Sequence, residues 1–393
     1  MFYLSMSTKL RVALNITIFM VSFCIQIPAF ADAGLRLLSG ERPGGSVNGL
    51  SQDGSIAAGT VIVGAGENDA AFVWSEISGI TTIGYLPGQN ISEANGISDD
   101  GSKIYGRGDQ QPFFTWTSAD GIAPITLPDG FSANFYAISG DGSALAGKYI
   151  SPNDLNEPVP DEAFRIVGNT VTKLGFLSTF GSNQDRSIAY AISGDGTVIV
   201  GQSTSDDATY SYQPEAFRWT QSGGMVGLGF EVSGETHSET IARAVSRDGT
   251  VIAGTSKSST LEGDTLYNIF TWTEATGMVQ IYSSRLASEV NGISADGSVI
   301  VGMFRPTIAT RETPGGFREP FRWSEANGMQ SVIEWLQEAG VDTGTLDAGA
   351  AWSVSADGNT VGGNIRDQNN SDAGEWPFIA HVINDDVFID GFE

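Results

Sequence analysis

The sequence predicts an all-β fold, a seven-bladed β-propeller with four antiparallel strands in each blade and one short helix near residues 331–339. The main observation is a motif, Ser-x-Asp-Gly, that recurs at intervals of 41 to 61 residues, each time with a second glycine five residues after the first. The seven motifs begin at Ser51, Ser98, Ser139, Ser193, Ser246, Ser294 and Ser355. Repeats of about 40 to 50 residues that are rich in short strands are typical of propeller blades.

Two further markers complete each repeat. Five units continue with Phe-x-Trp, and the third and seventh keep the phenylalanine, as Phe164 and Phe378, but have Ile166 and Ala380 in place of tryptophan. A Gly-Ile or Gly-Met pair and a short apolar run follow, as in GMVGLGF from Gly224. Residues two apart on a strand share a face, so we expect the aromatic rings to fill the space between neighbouring blades.

Each unit is therefore expected to form four strands: one before the motif, one after it, one around Phe-x-Trp and one after the Gly-Met pair. The Asp-Gly pair suits a hairpin because glycine adopts positive φ, while the Ser and Asp side chains accept bonds from turn amides. Binding calcium is an alternative role for these aspartates. Loop residues could also bind it, either Asp154, Asn156, Glu157 and Asp161 or Asp206 and Asp207. Otherwise the sequence predicts no cofactor and no metal ligand.

The segment SVIEWLQEAG, from Ser331, predicts a helix within the sixth unit. Val332, Trp335, Leu336 and Ala339 are expected to share one face, and Gly340 is expected to end the helix. This insertion accounts for the longest interval between motifs.

The two ends of the repeat region predict how the ring closes. The stretch GLRLLSG, from Gly34, looks like a fourth strand without a blade, and the seventh unit ends after PFIAHVI, from Pro377. The N-terminal strand is therefore expected to complete the last blade and remove the open sheet edge. A strand from residues 385–393 is the competing closure.

The repeats resemble those of the extracellular HAF repeat family of bacterial secreted proteins. The segment EAFRWTQSGGMVGLG, Glu215 to Gly229, is a close match, and the resemblance covers nearly all of residues 34–383. It implies a repeat scaffold in a secreted protein. The family has no agreed catalytic residues, so the resemblance implies no active site.

The N-terminus predicts secretion. Lys9 and Arg11 precede an apolar run and the small-residue sequence that ends at Ala31, which is the pattern of a signal peptide spanning residues 1–31. The propeller is expected to occupy residues 32–383, followed by a short acidic tail at 384–393. Cys24 is the only cysteine and lies in the leader, so we expect no disulfide in the mature protein. A secreted, extracellular or surface-associated location follows.

The charge of the chain excludes two classes of partner. There are 46 acidic and 20 basic residues, a net charge of −26, and the acidic residues are scattered. Nucleic acid and anionic membrane surfaces would be repelled. We expect no membrane span, and a monomer.

One position of the repeat predicts a binding site. Two residues before each motif serine the chain has a small residue, and directly before the serine an aliphatic one, but three residues before it the chemistry varies. These variable residues, expected to ring the channel mouth on the face with the long loops, are Asn48, Asn95, Tyr136, Tyr190, Arg243, Asn291 and Trp352. Amides, phenols, an indole and a guanidinium suit a polar ligand, although structural packing is the alternative role.

The sequence leaves two functions open. The first is a secreted binding or structural module for an extracellular glycan, surface polymer or protein. The second is a glycan-acting hydrolase or lyase on the same scaffold, whose catalytic groups would be carboxylates, tyrosines or the two histidines, His237 and His381. No specific catalytic residue is predicted.

Overall fold

Seven four-stranded antiparallel sheets follow one another along the chain. The computed structural model describes residues 33–38, 42–64, 68–109, 112–128, 131–150, 161–178, 185–207, 213–230, 236–259, 263–306, 318–367 and 374–382. The predicted signal peptide, the acidic tail and the loop with Asp154, Asn156 and Glu157 lie outside these residues. In the described part of the chain, no helix has the length and apolar character needed to cross a membrane.

The first described strand is β1 (Gly34–Leu37). Blades 1 to 3 comprise β2 (Arg42–Leu50), β3 (Ile56–Val63), β4 (Asn68–Ser75), β5 (Gly79–Thr82), β6 (Ser92–Ile97), β7 (Lys103–Gly108), β8 (Phe113–Thr117), β9 (Gly121–Pro124), β10 (Ser132–Ile138), β11 (Ala144–Ile150), β12 (Glu162–Val167) and β13 (Thr170–Gly175). Blades 4 and 5 comprise β14 (Ser187–Ile192), β15 (Val198–Thr204), β16 (Pro214–Thr220), β17 (Gly224–Gly227), β18 (Thr236–Val245), β19 (Ile252–Ser259), β20 (Thr265–Thr273) and β21 (Gly277–Ser284). Blade 6 comprises β22 (Ser288–Ile293), β23 (Val299–Phe304), β24 (Glu319–Ser324) and β25 (Gly328–Ser331), and is followed by α1 (Val332–Glu338). Blade 7 comprises β26 (Leu346–Val354), β27 (Thr360–Asp367) and β28 (Trp376–His381) together with β1.

The repeated phenylalanines form the cores between blades, as predicted. All seven are fully buried: Phe72, Phe114, Phe164, Phe217, Phe270, Phe321 and Phe378. Phe217 and Trp219 of blade 4, for example, pack against Ala144, Ala146 and Leu174 of blade 3. Because each core is shared by two neighbouring blades, the blades stabilise one another in sequence around the ring.

The Ser-x-Asp-Gly motifs form seven equivalent turns held by their own side chains. In blade 4 the Ser193 hydroxyl donates to the Asp195 carboxylate at 2.8 Å, and that carboxylate accepts the Thr197 amide at 2.9 Å. The Ser193 hydroxyl in turn accepts the Val198 amide at 3.0 Å. The aspartates therefore have a structural role in these turns that requires no cation.

A ring of backbone hydrogen bonds joins the seven turns to one another. The residue between Ser and Asp of one motif bonds to its counterpart in the next blade, as from Arg247 N to Ala295 O at 3.0 Å and from Ala295 N to Ala356 O at 3.1 Å. Between blades 3 and 4 the donor is Asp141 N. The circle closes where Ala356 N of blade 7 donates to Gln52 O of blade 1 at 2.8 Å.

The N-terminal strand completes the seventh blade, which confirms the predicted closure. Strand β1 pairs antiparallel with β28, from Gly34 opposite His381 to Leu37 opposite Phe378. The next residue, Leu38, is buried among residues of blade 1 such as Val47 and Phe72. Residues 34–38 therefore contact both blade 7 and blade 1.

The helix forms where the sequence predicts it and has a capping box. The Ser331 hydroxyl accepts the Glu334 amide at 3.0 Å, and the Glu334 carboxylate accepts the Ser331 amide at 3.0 Å. Gly340 follows the C-cap with φ of 80°, as predicted. The buried face contains Ile333 but not Ala339, because the helix ends at Glu338 and leaves Ala339 exposed.

Glu319, the first residue of β24, is a half-buried carboxylate in an unfavourable environment. Burial raises the pKa of its carboxyl to about 7, and the carboxylates of Asp347 and Glu334 act in the same direction. The ionised form is therefore less favourable in the folded chain than in the unfolded one. The contribution of this group to the free energy of unfolding is therefore most favourable below pH 4.5. It becomes less favourable as the pH rises to about 7.

Replacing Glu319 with glutamine is expected to stabilise the protein at pH 8 by about 1 kcal/mol, after discounting for the partial exposure of the side chain. At pH 4 the carboxyl is protonated in the folded state, so the substitution should change stability little. Urea unfolding at the two pH values measures the difference, with Glu274→Gln as an exposed control. An equal gain at both pH values would contradict the assignment.

Candidate binding site

Each inner strand of the propeller contains a β-bulge at the same position. In β14 the pairing passes from Ala189 directly to Ala191, so Tyr190 has no partner in the ladder. The same interruption occurs in β2, β6, β10, β18, β22 and β26. The bulged residues are the seven that the sequence predicts around the channel mouth: Asn48, Asn95, Tyr136, Tyr190, Arg243, Asn291 and Trp352. A bulge redirects the side chain of its extra residue, as commonly happens beside active sites.

The second glycine of each repeat is required by this bulge. A Cβ atom on Gly201 would lie 1.9 Å from the Ile188 carbonyl oxygen and 2.9 Å from Cε1 of Phe217. The other six second glycines are equally confined, with a carbonyl oxygen of the inner strand 1.9 to 2.2 Å from the added carbon. Sequence reasoning did not predict the bulges, and the recurring second glycine is the signal that could have indicated them.

The seven bulged side chains converge on one cavity of about 340 Å³, which Ser46 and Val290 complete. Below them the channel is lined by an aliphatic ring: Leu50, Ile97, Ile138, Ile192, Val245, Ile293 and Val354. At the far end Arg247 of blade 5 reaches across the channel, donating to Gln52 Oε1 of blade 1 at 2.5 Å and pairing with Asp99 of blade 2. The aliphatic ring therefore separates the polar residues of the mouth from those at the far end of the channel.

Blades 3 to 5 supply an aromatic and cationic arc of this ring. The rings of Tyr136 and Tyr190 are 5.6 Å apart in an edge-to-face arrangement. The guanidinium carbon of Arg243 lies 4.5 Å from the centroid of the Tyr190 ring. Partial burial raises the pKa of the Tyr190 phenol, against the opposing effect of Arg243. The phenol is therefore protonated at neutral pH and can both donate and accept a hydrogen bond.

Three of the seven side chains are already bonded within the protein. Asn48 Nδ2 donates to Ala94 O at 2.7 Å, and Asn291 Nδ2 donates to Ala351 O at 2.9 Å, each reaching the next blade. Trp352 Nε1 donates to Asn364 Oδ1 at 2.6 Å. These contacts orient the side chains and give them a structural role.

Two other members of the ring have polar atoms that protein contacts do not satisfy. Asn95 Oδ1 and Arg243 Nε are buried, and neither has a hydrogen-bond partner among the described residues. Buried polar atoms in folded proteins nearly always have a partner, so such atoms beside a cavity indicate a place for water or ligand. Together with Asn95 of blade 2, the arc formed by Tyr136, Tyr190 and Arg243 is therefore the part of the ring best suited to bind a ligand.

Neither histidine is placed in this ring. His381 lies in β28, where its Nδ1 is 2.9 Å from the Thr360 hydroxyl, and burial lowers its pKa. His237 belongs to β18, and its side chain lies outside the described residues. The ring itself contains no carboxylate, imidazole or thiolate, and the described residues form no group of three or more such side chains that could hold a metal ion.

These features define a seven-bladed β-propeller with a polar cavity at one mouth of its channel. An oligogalacturonate lyase from Vibrio parahaemolyticus superposes with a TM-score of 0.60 over 89% of this chain and 94% of its own, at 12% identity. An oligogalacturonate lyase in complex with manganese superposes with a TM-score of 0.56 over 90% and 97%, at 13% identity. At such identities the similarity shows the fold alone. No family model and no curated protein matches the chain, so the HAF resemblance stays a prediction.

Proposed function

We propose that the protein is a secreted propeller that binds a polar extracellular ligand, a glycan, surface polymer or protein, at the channel mouth. The observation that carries the proposal is the pair of unsatisfied buried atoms, Asn95 Oδ1 and Arg243 Nε, beside a cavity of about 340 Å³. Secretion rests on the signal-peptide pattern of residues 1–31, and the HAF resemblance agrees with it.

The arc suggests which ligand groups are recognised. Asn95 Oδ1 needs a donor, such as a hydroxyl or an amide N–H, and Arg243 Nε needs an acceptor, such as a carboxylate or carbonyl oxygen. The rings of Tyr136 and Tyr190 offer apolar area to the face of a sugar or a peptide side chain. A glycan that carries hydroxyl and carboxylate groups satisfies all of these requirements.

A glycan-acting lyase or hydrolase is the second candidate function. It is favoured by the Tyr190 phenol in the cavity, which is protonated at neutral pH and could act as a general acid. Two of the structurally similar proteins are oligogalacturonate lyases, one of them in complex with manganese. Manganese does not fit the ring of this protein, which offers amides, phenols, an indole and a guanidinium in place of carboxylate or imidazole donors. No metal step is part of this alternative.

The proposal is tested by screening the chain from Asp32 onwards against an array of glycans and cell-wall polymers and measuring each hit by calorimetry. Tyr190→Ala and Arg243→Gln are each expected to weaken binding by about tenfold, since a buried contact is worth about 1 to 3 kcal/mol. Release of new reducing ends or unsaturated product from a bound glycan would instead support the enzyme.

The matched control is Arg247→Gln, which makes the same change of charge at the opposite end of the same channel. It is expected to leave affinity unchanged, with circular dichroism confirming that all variants are folded. If folded Tyr190→Ala and Arg243→Gln proteins bind a ligand as tightly as wild type, the mouth is not the binding site.

A further inference from the structure

A second cavity, of about 260 Å³, lies beside the channel mouth between blades 6 and 7. Arg318, directly before β24, and Arg366, near the end of β27, line it together with Asn364, Glu375 and Trp352. Trp352 also belongs to the ring at the channel mouth, so the two cavities share one wall. Its volume is below the ~300–1,000 Å³ of typical small-molecule sites, which suits one small group rather than a whole ligand.

The lining of this cavity is basic in a protein that is otherwise strongly acidic. Two of the 20 basic residues of the chain line it, against one carboxylate, Glu375. That carboxylate accepts a hydrogen bond from Asn364 Nδ2. The Arg318 guanidinium approaches the sulfur of Met303 at 3.7 Å, a weak and uncharged acceptor. Arginine side chains that converge on a cavity suit planar or tetrahedral oxyanions, which they bind through paired N–H donors.

We propose that this cavity binds a carboxylate or sulfate-ester group of an extended ligand whose neighbouring unit occupies the channel mouth. The inference rests on the proposed function, because it assigns that ligand to the class of acidic glycans. A hydrogen-bond chain runs from the Trp352 indole N–H through Asn364 to Glu375. An anion bound beside Arg318 and Arg366 therefore perturbs the contacts that orient Trp352.

The indole N–H of Trp352 provides the experimental readout. Glucuronate and glucose 6-sulfate are titrated separately into ¹⁵N-labelled protein, with glucose as the neutral probe, and Trp352→Phe assigns the resonance. At least one acidic sugar is expected to shift this resonance saturably, and glucose is not. A response to glucuronate alone identifies a carboxylate site, and a response to the sulfate ester alone identifies a sulfate site.

Arg318→Gln combined with Arg366→Gln is expected to weaken the acidic-sugar response at least tenfold. Arg107→Gln is the matched control, with the same change of charge at a residue of blade 2 that is paired with Glu93. A folded double variant with wild-type affinity overturns the proposal, as does an equal response to glucose. If the double variant does not fold, Arg318→Gln alone decides: a weakened acidic-sugar response in the folded single variant supports the proposal, and wild-type affinity overturns it.

Tyr190→Ala separates this proposal from the proposed function. If the side cavity binds the anion and the channel mouth does not bind a ligand, the acidic-sugar response persists in Tyr190→Ala and disappears in the arginine variant. If the response disappears in Tyr190→Ala and persists in the arginine variant, the acid binds at the mouth and the side cavity is not a site.

Discussion

A chain that lacks residues 33–40 is expected to lose about 5 kcal/mol of stability, a large part of the total for a typical protein. The deletion removes all pairing of β1 with β28 and the bond from Leu38 N to Pro377 O. It also removes the partly buried Leu35, which packs against the core of blade 7, and Leu38 from the core of blade 1. Burial of one leucine is worth about 1.5 to 3 kcal/mol, and each hydrogen bond adds roughly 0.5 to 1.5 kcal/mol.

Differential scanning calorimetry is expected to show a fall in melting temperature of about 10 °C for this deletion. Leu37→Ser is the matched control, because Leu37 belongs to the same strand but its side chain is exposed. A synthetic peptide of residues 33–40 should restore part of the lost stability by pairing with β28. An unchanged melting temperature would mean that the inner-strand contacts, including the bond from Ala356 to Gln52, close the ring without β1.

The blade count and the closure could be predicted from the sequence because both depend on local patterns that repeat. Each Ser-x-Asp-Gly motif forms its turn with its own side chains, as Ser193 and Asp195 do, so the turn needs nothing from elsewhere in the chain. The closure of the ring could be predicted because residues Gly34 to Leu37 have the pattern of a fourth strand, and the seventh unit ends without one. Stacking the repeats also predicted which residues converge at the channel mouth.

The chemistry within the site could not be predicted from the repeats. Whether the polar atoms of a ring residue have hydrogen-bond partners depends on the neighbouring blade. Asn291 donates to Ala351 O of the next blade, whereas Arg243 Nε has no partner among the described residues. The link from Arg247 to Gln52 and Asp99 joins positions far apart in sequence and on opposite sides of the channel. The side cavity depends on residues outside the repeated markers, among them Arg318 and Glu375, which no repeat alignment brings together.

The bulge connects the stability of each blade to the geometry of the site. The carbonyl oxygen of Ile188 occupies the space where a side chain on Gly201 would begin, and the Phe217 ring covers the same glycine. The second glycine and the repeated phenylalanine therefore belong to one packed unit, which presents the bulged residue to the channel. Residues that specify the fold here also orient Tyr190.

Gly201→Ala is accordingly expected to destabilise the protein by about 3 kcal/mol and to weaken ligand binding, although residue 201 does not line the channel. Overfilling a packed site usually costs about 1 to 3 kcal/mol, and here the added methyl group would lie 1.9 Å from a backbone oxygen that cannot move without changing the bulge. Urea unfolding measures the first effect, and titration of an array-identified ligand into the folded variant measures the second. Gly34→Ala is the control, because a Cβ there meets nothing within 4 Å. A Gly201→Ala protein as stable as wild type would show that the bulge does not depend on glycine, and one that is destabilised but binds normally would separate Tyr190 from the bulge.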